Sequence, residues 1–205
     1  LAAAGKEVSI DGGGGSDWLD YSAFTAGVTV DLVTGSASNI NGGAAGSVSN
    51  LPNVRGGKGD DHLTGNGGNI LIGNGGNDVL VDAFTGSDAS GRSLLIGGAG
   101  SDTLTAGSAG DILISGTTSY DAKNANLAAI LAEWQSGDDY NTRFNRLHAG
   151  TNKLVWLSTV KDDGAADVLN GGAGLDWYFA QLTSGTLDTI NGLNVPAHEH
   201  LDNAI

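Results

Sequence analysis

Large apolar residues punctuate this chain at short, recurrent intervals. Leu63, Leu80, Leu104, Leu113 and Leu169 each stand two positions after an aspartate, and glycine-rich stretches separate most of these segments. The pattern predicts a series of three-residue strands, each turning one apolar side chain inward. Residues 28–32, VTVDL, alternate like a strand with one wet face. A different period governs residues 115–161. There Leu127, Ile130, Leu131 and Trp134 fall on one helical face, with Asp121 as the expected N-cap and Gly137 as the expected C-terminal cap. A second short helix is expected from about Asp139, with Tyr140, Phe144 and Leu147 on one face and Gly150 beyond its end. Residues 153–160 then return as a strand carrying Leu154, Trp156 and Val160. The two apolar stripes are expected to pack on the strands or on each other rather than dock a partner. Such an insert can cover a sheet surface or edge that would otherwise invite pairing.

The strand segments belong to a nine-residue repeat, G-G-x-G-x-D-x-U-x, where U is a large apolar residue. Residues 12–20 read GGGGSDWLD, 56–64 GGKGDDHLT, 97–105 GGAGSDTLT and 171–179 GGAGLDWYF, all full matches. Residues 73–81, GNGGNDVLV, carry Asn at the second glycine. Residues 106–114, AGSAGDILI, and 162–170, DDGAADVLN, are degenerate but keep Asp111 with Leu113 and Asp167 with Leu169. Residues 65–72, GNGGNILI, are one residue short and lack the aspartate, and residues 41–46, NGGAAG, read as a decayed turn.

The spacing has a physical cause. The first six residues must turn sharply, and glycine supplies backbone angles closed to other residues. Such turns leave carbonyl oxygens pointing inward. Ca²⁺ is a hard cation that takes six to eight oxygen ligands. Carbonyls from two stacked turns and an aspartate from each can supply that shell. The candidate metal ligands are the carboxylates of Asp17, Asp61, Asp78, Asp102, Asp111, Asp167 and Asp176. The turn glycines Gly57, Gly59, Gly98, Gly100, Gly172 and Gly174 join them. Two repeats make one coil, so alternate turns share an edge. Asp61 and Asp78 should then flank one ion. Residues 82–93 look like an enlarged turn, which returns Gly97 to the same edge and lets Asp78 and Asp102 flank a second ion. By the same count Asp111 and Asp167 share the opposite edge. The short unit at Gly65 sits on that edge and binds nothing, and no stacking partner is assigned to Asp17 or Asp176.

Composition supports a cation as partner. With 23 acidic and 9 basic residues the formal charge is −14, so there is no basic face for nucleic acid. The 35 glycines come with only 2 prolines, which excludes collagen. There is no cysteine, hence no disulfide, and a calcium-stabilised fold can dispense with one. No apolar run approaches the ~20 residues that span a bilayer. The chain starts at Leu1 rather than Met and shows no signal peptide. A piece of a longer protein is expected, with residues 1–4 a linker remnant.

These repeats resemble the RTX (hemolysin-type calcium-binding repeat) family. The wider frame, including LDYSAFTAGVTVDL and SLLIGGAGSDTL, is similar to C-terminal modules of large bacterial surface or secreted proteins. The resemblance implies an all-β fold, a right-handed parallel β-roll (a β-solenoid) with a small inserted helical hairpin. It also implies Ca²⁺ in the turns and export to a calcium-rich medium. The chain is expected to be a single domain over residues 1–205.

No catalytic signature appears: there is no HExxH, nucleophile elbow or P-loop, so no enzyme is expected. His198 and His200 could hold zinc only if both rings met, and exposed termini more often leave them solvated. His62 is expected to be exposed, and His148 sits near a helix end where a cation suits the dipole. The leading expectation is an extracellular calcium-binding structural module whose folding needs the ion. The alternatives are a subunit of a self-assembling filament or surface layer, and the non-catalytic tail of a secreted hydrolase. Partners would be calcium, further copies of the chain or neighbouring domains of a larger surface protein.

Overall fold

The computed structural model describes residues 9–193 and 200–202. The expectations for residues 1–4, and for zinc at residues 198–200, lie outside them, apart from the backbone of His200.

Short strands alternate between two sheets as the chain coils. In spatial order, sheet I comprises His200–Asp202, Trp177–Phe179, Ile112–Ile114, Leu94–Ala99, Ile70–Gly75, Asn53–Arg55 and Trp18–Asp20. Sheet II comprises Thr189–Asn191, Val168–Asn170, Thr103–Thr105, Val79–Asp82, His62–Gly65, Thr29–Asp31 and Ser36–Ala37. All neighbours pair in parallel except Ser36–Ala37, which folds back antiparallel on Thr29–Asp31. Thr29–Asp31 is the strand expected from VTVDL.

Register puts like on like. In sheet II, Val30, Leu63, Leu80, Leu104 and Leu169 stand in one row. In sheet I, Leu19, Val54, Leu71, Leu95, Leu113 and Tyr178 form the facing row. These buried residues meet between the sheets as one core. Each coil contributes only two such side chains and cannot bury them alone, so stacking supplies the stability.

Sheet I has a second apolar face. Its central strands begin or read Ile-Leu-Ile, Leu-Leu-Ile, Ile-Leu-Ile and Trp-Tyr-Phe, apolar at every position. Such runs mark strands covered on both faces. The cover is the insert, built from helix α1 (Asn124–Trp134) and helix α2 (Tyr140–Ala149). Leu127, Ile130, Leu131 and Trp134 are buried against Ile70, Ile72, Leu94, Ile96 and Trp177, as one second core. Sheet II instead presents His62, Thr103 and Val168 outward; His62 is exposed and the other two are half-buried.

Three local expectations are corrected. Asp121 does not cap α1. The helix starts at Asn124 after Lys123 without a side-chain cap, and Asp121 accepts from the Thr118 N–H (2.9 Å) and hydroxyl (2.5 Å). Gly137 is not its C-cap, because α1 ends at Trp134 and Gln135 closes it in right-handed helical geometry. Residues 153–160 do not form a strand. Thr159 Oγ ties the segment into a turn by accepting from Val155 N (2.9 Å) and donating to the Lys153 carbonyl (2.7 Å). Beyond a single bridge between Trp156 and Val160, the segment's pairing is that of Val160–Lys161, antiparallel to Thr117–Thr118. Asp139 does cap α2, accepting from Thr142 N at 3.0 Å, and Gly150 follows its end. In α2, Tyr140 and Leu147 are buried and Phe144 half-buried; Arg143 is buried with them. No helix among the described residues is long and apolar enough to cross a membrane.

Candidate metal sites

The turns that lead into sheet II form a first edge, and the repeat aspartates stack along it. Each backbone N–H reaches the carboxylate of the next coil. Val28 N donates to Asp61 Oδ1, Asp61 N to Asp78 Oδ1, Asp78 N to Asp102 Oδ1 and Asp102 N to Asp167 Oδ1, each at 2.7 Å. Asp167 N continues to Asp188 Oδ1 at 3.0 Å. The ladder crosses the helical insert without interruption.

A second, shorter ladder runs along the opposite edge, among turns leading into sheet I. Asn69 N donates to Ser93 Oγ (3.0 Å), Ser93 N to Asp111 Oδ1 (2.7 Å) and Asp111 N to Asp176 Oδ1 (2.6 Å). The expected pairing of Asp111 with Asp167 is therefore wrong. The insert leaves from the end of a sheet I strand and rejoins before a sheet II strand. Asp167 thus falls on the first edge beside Asp102, and Asp111 stacks on Asp176. Asp61, Asp78 and Asp102 stack as expected, the enlarged turn at 82–93 returns Gly97 to the first edge, and the Gly65 unit lies on the second. Asp17 lies at the outer end of that edge, level with Pro52 of the next turn, whose side chain offers no acceptor for the Asp17 N–H.

The turn glycines pack turn against turn. Gly98 and Gly100 lie against the backbone of Asn74 and Gly76, and Gly172 and Gly174 against Gly107 and Gly110. Gly57 and Gly59 lie against the loop that contains Phe24 and Gly27. The first glycine of each unit matters most. A Cβ at Gly73 would strike Asp78 Oδ2 and the Gly97 carbonyl oxygen, and one at Gly97 would strike Asp102 Oδ2 and the Ser115 carbonyl oxygen. Carboxylate and carbonyl oxygens thus border a space that only glycine leaves open.

These carboxylates are poorly compensated. Asp61, Asp78, Asp102, Asp111, Asp167 and Asp176 are all buried. The outer oxygens Oδ2 of Asp17, Asp78, Asp102 and Asp167 are buried without a hydrogen bond. Among the described residues no ion pair involves Asp61, Asp78, Asp102, Asp111 or Asp167. Burial, aided by neighbouring carboxylates, pushes Asp78 and Asp167 up to about 7 and Asp102 to about 8; it also raises Asp61, and Asp111 well above the usual range. Buried charge of one sign needs either protons or a cation. No three carboxylate or imidazole groups gather among the described residues, so carbonyl oxygens must complete any shell. The donor set is all oxygen and fits Ca²⁺.

Asp188 was missed in the repeats. Its segment, Leu187 to Asn191, keeps the D-x-U-x pattern with Ile190 but has lost the preceding glycine pairs. Ser93 and Asn69, the neutral rungs, carry no motif at all.

The arrangement defines a class, a two-sheet parallel solenoid whose turn edges are lined with carboxylate and carbonyl oxygens. The RTX calcium-binding nonapeptide repeat matches in four copies, at residues 6–24, 53–80, 89–117 and 159–187, just over half of the chain. The chain belongs to this RTX repeat family, whose fold is the β-roll and whose repeats bind calcium. RTX repeats are typically structural rather than catalytic. No curated protein matches the chain.

Proposed function

We propose that this chain is an extracellular, calcium-dependent structural module, a single right-handed β-roll with its helical hairpin docked on sheet I. The observation that carries the reading is the ladder of buried aspartates, in which Oδ2 of Asp78, Asp102 and Asp167 has no hydrogen bond. Ions between Asp61 and Asp78, Asp78 and Asp102, Asp102 and Asp167, and Asp111 and Asp176 would neutralise them. In the absence of the ion the stacked carboxylates resist folding, so binding energy becomes folding energy. RTX repeats are typical of secreted proteins, and extracellular calcium modules work at Kd values of about 10⁻⁴–10⁻³ M. A roll of this kind would stay unfolded in the calcium-poor cell interior and order itself outside. Circular dichroism in chelator, followed by calcium titration at neutral pH, tests this. Strand signal should appear with calcium; full strand content after complete calcium removal would overturn the reading.

A further inference from the structure

One buried carboxylate lies outside both ladders. Asp82 closes the strand Val79–Asp82 and opens the enlarged turn at 82–93, on the second edge. It is only 3 % exposed. Its Oδ1 accepts from Phe84 N at 3.0 Å, while Oδ2 is buried without a hydrogen bond. The next turn on this edge, residues 106–111, carries Gly107, whose N–H donates to Asp111 Oδ2 at 2.7 Å. A Cβ on Gly107 would stand 3.0 Å from Asp82 Oδ2 and 3.0 Å from the Phe84 carbonyl oxygen. Two buried carboxylates and a carbonyl therefore converge on one glycine from two stacked turns.

Among the described residues no salt bridge to Asp82 or Asp111 balances their charge. After burial, Asp82 is the strongest influence disfavouring the ionised form of Asp111. Arg92 is near Asp111, yet its hydrogen bonds go to the carbonyls of Ala109, Trp134 and Ser136. Ser93 bridges the two turns, donating its N–H to Asp111 Oδ1. It lies close enough to Asp82 to favour the charged carboxylate, without a hydrogen bond to Oδ2.

We propose that Asp82 and Asp111 hold a further calcium ion between the 82–93 and 106–111 turns, with the Phe84 carbonyl and Ser93 hydroxyl as neutral oxygens. The site is out of register with the nonapeptide. Asp82 follows the last position of its repeat, where the next unit would begin with glycine, and the enlarged turn has no G-G-x-G-x-D. A side-chain carboxylate replaces the missing glycine turn.

The inference rests on the reading of the turn edges as calcium sites, and one experiment separates the two. Bound calcium is counted by native mass spectrometry and titration calorimetry in the whole chain, in Asp82→Asn and in Asp78→Asn. Asp82→Asn should bind one ion fewer than the parent, while Asp78→Asn should lose first-edge ions and keep the Asp82 ion. Equal stoichiometry and affinity in Asp82→Asn would overturn the site and leave the ladders standing, with Asp82 and Asp111 sharing a proton instead. A parent chain that binds no calcium would overturn both. If Asp82→Asn does not fold in saturating calcium, crystals of the parent grown in calcium decide. An anomalous peak beside Asp82 Oδ2 supports the site, and its absence there overturns it.

Discussion

Asp78 N–H donates to Oδ1 of Asp102 over 2.7 Å, while the other oxygen of the same buried carboxylate has no hydrogen bond. One oxygen links the coils and the other faces the space between the turns. Replacing Asp102 separates these roles. Asp102→Asn keeps an acceptor for Asp78 and removes the charge. It should show more strand than the parent in chelator at neutral pH, and bind calcium roughly tenfold or more weakly, because ligand charge sets affinity in oxygen sites. Asp102→Ala should be about 1–3 kcal/mol less stable than the Asn variant, since it leaves the buried Asp78 N–H without a partner. Urea unfolding and calcium titration of the three chains check this.

Acid should favour the metal-free fold. Asp78, Asp102 and Asp167 have values near 7 to 8 in the fold against 3.8 for an ordinary aspartate. Their contribution is fully present below about pH 4 and is lost as the pH rises through 7 to 8, the reverse of a salt-bridged aspartate. Strand signal in chelator should therefore grow as the pH falls from 8 to 5. Calcium affinity should move the other way, rising with pH as the ion displaces protons. A metal-free strand signal that declines on acidification would contradict the assignment.

Gly100 holds its turn in the left-handed region, with φ +117°, and a Cβ there would meet the Gly76 carbonyl carbon at 2.8 Å. Gly100→Ala must push the 97–102 turn away from the 73–78 turn. The expected cost is above about 1–3 kcal/mol, the usual strain of such a residue, together with weaker calcium binding on the first edge. Gly137→Ala, where nothing lies within 4 Å, is the control and should be nearly neutral. Thermal melts in saturating calcium compare them.

Trp134 fixes the insert to the roll. It is fully buried, its indole N–H donates to the Gly110 carbonyl at 2.9 Å, and Arg143 lies over its ring at 4.5 Å. Trp134→Ala should cost about 3–5 kcal/mol without altering the number of first-edge ions. Guanidinium unfolding in excess calcium and an ion count measure both.

The repeat was legible because its chemistry is local. Each G-G-x-G-x-D turn and the apolar residue after it can be read in nine residues, so the strands at Leu63, Leu80, Leu104, Leu113 and Leu169 were placed from pattern alone. The helical face of Leu127, Ile130, Leu131 and Trp134 was equally plain. Its helix start was not: Asp121 looked like an N-cap, but its carboxylate is engaged by Thr118 in the turn that precedes the helix.

The sequence by itself determined that the chain coils, that its turns gather carboxylates, and that a helical segment interrupts the coil, since each follows from residues close along the chain. Only the tertiary structure decided which turns share an edge. The partner of Asp102 is Asp167, 65 residues away across the insert, and the partner of Asp111 is Asp176. That choice depends on which sheet the chain leaves and rejoins, a property of the whole coil. The same long-range packing placed Asp188 on the ladder without its glycines and brought Asp82 to Gly107. Burial and stacking, rather than motif, set which oxygens face one another.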